Sequence, residues 1–154
     1  MKDKKNDGKD VEKLTGKTFK TLMSRKKAVV VRLHDTKSAA YFLPPSAGDF
    51  MGVAYNRPIL IECKSSEIKH SFADCSVKDY VAPTQFAYHK LWMNQGGLSI
   101  FIFHSLPMNT LEVWYGQEVL KAYSTGKKMT AEGRAVGFTE KDLIAALEKM
   151  VEKL

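Results

Sequence analysis

Asp49-Phe50-Met51-Gly52-Val53-Ala54-Tyr55-Asn56-Arg57-Pro58-Ile59-Leu60-Ile61-Glu62-Cys63-Lys64 is the stretch on which the fold turns. Phe50 to Tyr55 and Ile59 to Lys64 are apolar runs with β-forming character, and Asn56-Arg57-Pro58 between them is a turn-forming group. The pattern predicts a β-hairpin. Side chains two apart on a strand share a face, so Glu62 and Lys64 project to one side with Leu60, while Ile59, Ile61 and Cys63 project to the other. Folding about Asn56-Arg57 places Asp49 roughly opposite Lys64 and within diagonal reach of Glu62. Two carboxylates and a lysine then converge at one end of the hairpin. Carboxylates so placed repel unless a cation lies between them, and an oxygen-only ligand set favours Mg²⁺ or Mn²⁺ over zinc.

Outward from the hairpin, the pattern is that of a mixed α/β chain. Asp10 is the expected cap of a helix running through Val11, Leu14, Phe19, Leu22 and Met23. Ala28 to Leu33 reads as a strand, and Ala39 to Leu43 as a strand or extended loop ended by Pro44-Pro45. Residues 65–82 read as loop. Thr84 is the expected cap of a helix through Phe86, Leu91 and Met93 that Gly96-Gly97 ends. Leu98 to Phe103 has almost no polar interruption and reads as a central strand covered on both faces. Leu111 to Tyr115 reads as a strand, Gln117 to Tyr123 as a short helix and 124–138 as loop. Thr139 and Asp142 open a final amphipathic helix over 139–153 with Leu143, Leu147, Met150, Val151 and Leu154 on one side. The expected architecture is α/β: a single mixed sheet carrying the hairpin and flanked by helices, over residues 10–154, behind a basic flexible tail at 1–9.

Charge points to the partner. The chain of 154 residues carries a net charge of +7. Residues 1–27 hold ten Lys/Arg against four Asp/Glu, and the remainder is nearly balanced. A basic front end on an otherwise neutral protein fits a polyanion such as nucleic acid. The first residues contain no apolar core of a secretory signal, and no apolar run approaches a membrane span, so a soluble cytoplasmic protein is expected, in the host cytoplasm if the source is viral. Cys63 and Cys75 have no zinc spacing and are expected to be reduced. His34, His70, His89 and His104 lack ligand spacing and read as surface or satisfied core residues, His70 also as a possible DNA contact. Thr125-Gly126-Lys127-Lys128 lacks the rest of a phosphate loop.

An Asp followed by twelve residues and Glu-x-Lys resembles the PD-(D/E)xK nuclease superfamily, with Asp49, Glu62, Cys63 and Lys64 at its motif positions. The likeness extends to Holliday junction resolvases of the RecU and archaeal Hjc type. Gly8-Lys9-Asp10-Val11-Glu12 stands where that family starts its first helix. Ser46 with Asp49-Phe50-Met51-Gly52 is similar to its "DF-x-G" string. Ser71-Phe72, then Gln85 opening a helix, then Gly96-Gly97-Leu98 follow in its order. Gly48 replaces the superfamily's proline, and Thr84 stands where RecU-like proteins commonly carry a histidine. The match spans roughly residues 8–115 and leaves the remainder unexplained.

The resemblance implies a Mg²⁺-dependent, structure-specific endonuclease that resolves four-way DNA junctions by paired nicks as a homodimer. Asp49, Glu62, the Cys63 carbonyl and Glu12 would hold the metal, with Mn²⁺ as a substitute. Lys64 would orient water and stabilise the phosphate, and Gln85 would assist. Lys4, Lys5, Lys9, Lys13, Lys17, Ser46, Lys69 and His70 are the expected DNA contacts. Alternatives are a nuclease of the same fold acting on other branched or duplex DNA, and a non-catalytic DNA-binding module. Read residue by residue, Glu62 and Lys64 could also form a plain ion pair, Glu12 could serve its helix dipole, Ser46 a turn, and Gln85 a helix start.

Overall fold

A computed structural model describes residues 9–33, 48–129 and 134–154, with Arg134 as backbone alone. The elements are α1 (Lys9–Ser24), β1 (Ala28–Arg32), β2 (Phe50–Ala54), β3 (Arg57–Ser66), α2 (Pro83–Asn94), β4 (Leu98–Ser105), β5 (Thr110–Tyr115), α3 (Gly116–Thr125), β6 (Arg134–Gly137) and α4 (Glu140–Glu152). Two single-turn 3-10 helices, Phe72–Asp74 and Val77–Asp79, lie between β3 and α2. The strands form one six-stranded sheet in the order β1-β2-β3-β4-β5-β6. Every neighbouring pair is antiparallel except β3 and β4, which run parallel and are joined across one face by α2. The expected single mixed sheet, carrying the hairpin and flanked by helices, is what the chain forms.

Alternation along the central strands divides the core. Ile59, Ile61 and Cys63 of β3 and Ile100 and Ile102 of β4 pack against Val11, Phe19 and Leu22 of α1 and Leu143, Leu147 and Met150 of α4. Phe101 and Phe103 of β4 and Trp114 of β5 face the other way, onto Val119 and Leu120 of α3 and Phe72, Val77 and Val81 of the β3–α2 connection. Val29, Val31 and Val53, on the outer part of the sheet formed by β1 and β2, are exposed.

Several boundaries differ from the sequence reading, each for a local reason. The hairpin turn is Tyr55-Asn56, both at positive φ, which gives a two-residue turn whose twist matches the strands. Asn56-Arg57-Pro58 is not the turn. Pro58 lies in β3 opposite Val53. The pairing therefore slides by two residues: Phe50 pairs with Ile61, so Asp49 falls level with Glu62 rather than Lys64. A slip of two preserves the faces, and Glu62 and Lys64 keep the side expected of them. Gly52 is required where it stands, because a Cβ there would lie 2.0 Å from the Val29 carbonyl oxygen of β1.

Asp10 lies within the first turn of α1 rather than capping it from outside. Likewise Thr84 is inside α2, whose N-cap is Ala82, since Pro83 suits the first helical position. Residues 124–138, expected as loop, contain β6, which is too short to show an alternation. The final helix stops at Glu152, leaving Leu154 exposed beyond it. Gly126 closes α3 in the left-handed conformation, so the Thr125-Gly126-Lys127-Lys128 group is a helix end. Cys63 and Cys75 are both free thiols. Residues 1–8, with Lys4 and Lys5, and residues 34–47, with Ser46, His34 and the Ala39 to Leu43 segment, lie outside the described residues. No described helix is long and apolar enough to cross a membrane.

Candidate active site

The site forms where β2 stops and β3 continues. β2 has five residues and β3 has ten, so β3 beyond Ile61 has no β2 partner. Strand parity turns the N–H and C=O of Cys63 toward that gap, as it does those of Ile61. Asp49 occupies it. Its backbone N–H donates to the Ile61 carbonyl at 2.9 Å although Phe50 is already level with Ile61, so the chain bulges at Asp49. Its carboxylate Oδ2 then accepts the Cys63 N–H at 2.7 Å. The Cys63 side chain points away, buried against Thr15 of α1 with Sγ to Oγ1 at 3.5 Å, and burial pushes its thiol pKa up. Only its backbone faces the site.

Glu62 reaches the same place from the α2 side and is 2 % exposed. Two groups hold its Oε1: the Gln85 amide, donating at 2.7 Å, and the Lys64 ammonium at 3.1 Å. Gln85 is itself fixed, because its Oε1 accepts the Ala82 N–H at 3.0 Å at the start of α2. One side chain thus both caps the helix and orients a carboxylate. The other oxygen, Oε2, is buried without a hydrogen-bond partner among the described residues. His89 Nε2 faces it at 3.9 Å.

Glu12 arrives from the α1 side. Its carboxylate pairs with Arg32 at the end of β1 and also interacts with Asp49. Three carboxyls therefore stand in sequence, Glu12, Asp49 and Glu62, with Arg32 at one end and Lys64 and Gln85 at the other. All three are raised. Burial is the largest cause for each. Asp49, between two other carboxyls, is pushed up to about 6, by burial first and then by the Glu62 charge. Among the described residues no group of three or more His, Cys, Asp and Glu side chains is arranged to hold a metal ion. Asp49 and Glu62 remain a buried pair that includes an oxygen unpartnered among the described residues, beside the part of β3 that has no β2 partner. One or two carboxylates completed by water is the ordinary protein contribution to a Mg²⁺ site, so the residues present fit the ion.

Of the residues named from sequence, Asp49, Glu62, Lys64, Gln85 and Glu12 come together, with the Cys63 backbone. Lys9, Lys13 and Lys17 are exposed along α1 beside Glu12, and Lys69 and His70 are exposed after β3. Two neighbours were missed. Arg32 ends a short valine strand and gives no motif, although its strand leads toward Asp49. His89 is neither a surface residue nor a satisfied core one, since it is fully buried with Nε2 unpartnered. Its position one helical turn after Gln85 was the available signal. Burial pushes its pKa down to about 4, so the ring is neutral.

No protein-family profile and no curated protein matches the chain. Among solved structures it is similar to Hjc, a Holliday junction resolvase from the archaeal hyperthermophile Archaeoglobus fulgidus, at 11% identity and a TM-score of 0.45, over 81% of this chain and 86% of that one.

Proposed function

We propose that this protein is a Mg²⁺-dependent DNA endonuclease that resolves four-way junctions by paired nicks. The observation that carries this reading is the Asp49–Glu62 pair. Two buried carboxyls, both raised by burial and Asp49 also by the Glu62 charge, are held in fixed orientations by the Cys63 N–H, Gln85 and Lys64. Such a pair is expensive in the apo protein and is relieved by a divalent cation. The ordered motif from Glu12 to Gln85 adds the junction as substrate.

Asp49, Glu62 and the Cys63 carbonyl would hold the ion. Glu12 would act beside them, joined to Asp49. The ion would polarise the scissile phosphate and lower the pKa of an attacking water. Lys64, with its ammonium fixed on Glu62, would orient that water and offset charge building on the phosphate. Gln85 keeps Glu62 in place. Lys9, Lys13 and Lys17, at spacings of four along α1, would bind backbone phosphates together with Lys69 and His70, in a salt-dependent way and without reading bases. Paired nicks across a twofold junction call for a twofold homodimer.

The test is incubation of a labelled four-way junction with the protein and Mg²⁺, beside a linear duplex and a chelator control. The expected result is paired nicks in the junction, abolished by chelator and by Asp49→Asn. Equal cutting of duplex would replace the junction by a general DNA substrate. No cutting together with no calorimetric Mg²⁺ binding would leave a DNA-binding module.

A further inference from the structure

His89 is used by nothing described so far. It lies on α2, fully buried, its ring centroid 4.6 Å from that of Phe101. Its Nδ1 is 2.6 Å from the Ser99 hydroxyl of β4. Among the described residues its Nε2 has no hydrogen-bond partner and faces Glu62 Oε2, also without one, at 3.9 Å. Ser99 pairs with Leu60, so it shares the Glu62 face of the sheet. The hydroxyl is seated tightly, because a Cβ at Gly116, the first residue of α3, would lie 1.8 Å from Ser99 Oγ. Gly116 therefore admits the serine, the serine meets the imidazole, and the imidazole meets the carboxylate.

The proton on the ring has two possible places. On Nδ1 it would donate to Ser99 and leave the Nε2 lone pair facing a carboxylate oxygen, two buried acceptors without a donor between them. On Nε2 it would let the Ser99 O–H donate to Nδ1 and aim an N–H at Glu62 Oε2. Only a modest closing from 3.9 Å is then needed to reach an ordinary bond near ~2.9 Å. We infer that His89 is a positioning residue for Glu62: Ser99 fixes its Nε2–H tautomer, and that N–H orients Oε2 while Gln85 and Lys64 hold Oε1. A carboxylate oxygen has two lone pairs, so Oε2 can accept from His89 and still bind a cation. The inference rests on Glu62 as a metal-holding carboxylate.

The experiment pairs calorimetric titration with Mn²⁺ alone and side-chain ¹⁵N NMR of the metal-free protein. His89→Phe keeps a ring and loses the donor, and is expected to weaken Mn²⁺ binding ~10–100-fold, the usual effect of removing a group that orients a ligand. His89→Gln, which returns an N–H near the Nε2 position, should recover most of that loss. The NMR spectrum should show the Nε2–H tautomer in the wild type, a mixed or inverted tautomer in Ser99→Ala, and a shifted Nε2–H resonance in Glu62→Gln. An Nδ1–H tautomer in the wild type overturns the inference whether or not the variants fold. So does a folded His89→Phe that binds Mn²⁺ as tightly as the wild type. Failure of the metal reading itself looks different: Asp49→Asn would leave Mn²⁺ binding unchanged.

Discussion

The two sides of β3 differ in what they bury. Toward α1 and α4 the strand presents Ile59, Ile61 and Cys63, enclosed by aliphatic and aromatic side chains. Toward α2 the same strand presents Leu60, Glu62 and Lys64, with Glu62 almost as buried as the isoleucines. One side gains stability by removing apolar area from water. The other keeps a carboxylate in a place where ionisation is unfavourable and spends helix-capping groups to hold it. The first side fixes the position of the strand, and the second can therefore hold a strained charge at a defined point. Asp49, at the bulge between them, lets Glu12 and Arg32 from the first side meet Glu62 and Lys64 from the second.

The sharpest way to break this division is to alter one side at a time. Glu62→Gln keeps the shape and removes a charge. It should reduce junction nicking by at least about 10³-fold, since several kcal/mol of transition-state stabilisation is lost at about 1.4 kcal/mol per tenfold. Its melting temperature in chelator should not fall. Ile102→Ala, in the opposite core and fully buried, should cost roughly 2–5 kcal/mol in denaturant unfolding and leave the rate per folded molecule nearly intact. A Glu62→Gln that unfolds the protein, or an Ile102→Ala that stops cutting while folded, would show that the sides are not separable.

A pH experiment tests the charged side alone. The carboxyl of Asp49 is raised from 3.8 to about 6 in the folded chain. The folded state thus holds its proton more tightly than the unfolded state. The stability tied to that proton is full below about pH 4 and lost as pH rises through about 6. Without metal, the wild type should lose at most about 3 kcal/mol over that range relative to Asp49→Asn. Urea unfolding of both proteins at pH 4 and pH 7 measures the difference. Mn²⁺ should restore the wild type at pH 7 and do nothing for the variant.

Legibility in the sequence followed the same division. The apolar side of β3 and the two-faced β4 were readable because alternation and uninterrupted runs report burial directly. The site residues were readable because Glu-x-Lys breaks that alternation, and Asp49, Glu12 and Gln85 stand in a known order around it. The turn was misplaced because Asn56-Arg57-Pro58 carries stronger turn residues than Tyr55-Asn56, yet backbone twist selected the shorter loop. Even so, Asp49 reached Glu62, because the two-residue slip kept the faces and the bulge supplied the rest. Arg32 was not legible, since it joins the site through a contact between elements far apart in sequence, and His89 carried only its spacing of one helical turn after Gln85. β6 was hidden because four residues with a glycine carry too little pattern.

The smallest expected effect asks whether the packed side can be loosened without the site noticing. Thr139 caps α4: its hydroxyl oxygen accepts the Asp142 N–H at 3.1 Å and its proton goes to Asp142 Oδ2 at 2.7 Å. Thr139→Ala should cost about 1 kcal/mol, the usual loss of a side-chain cap, read from urea unfolding. The loosened turn touches α1 through Glu140 Oε2, which accepts from the Thr21 hydroxyl at 3.1 Å. Thr21 lies more than two helical turns from Glu12, near the far end of α1. Fraying there should not reach the carboxyls, and calorimetric Mn²⁺ affinity should match the wild type. A fall in affinity as large as the fall in stability would mean that α1 transmits strain along its length, and that Glu12 is set by the packing of α4 as much as by Arg32 beside it.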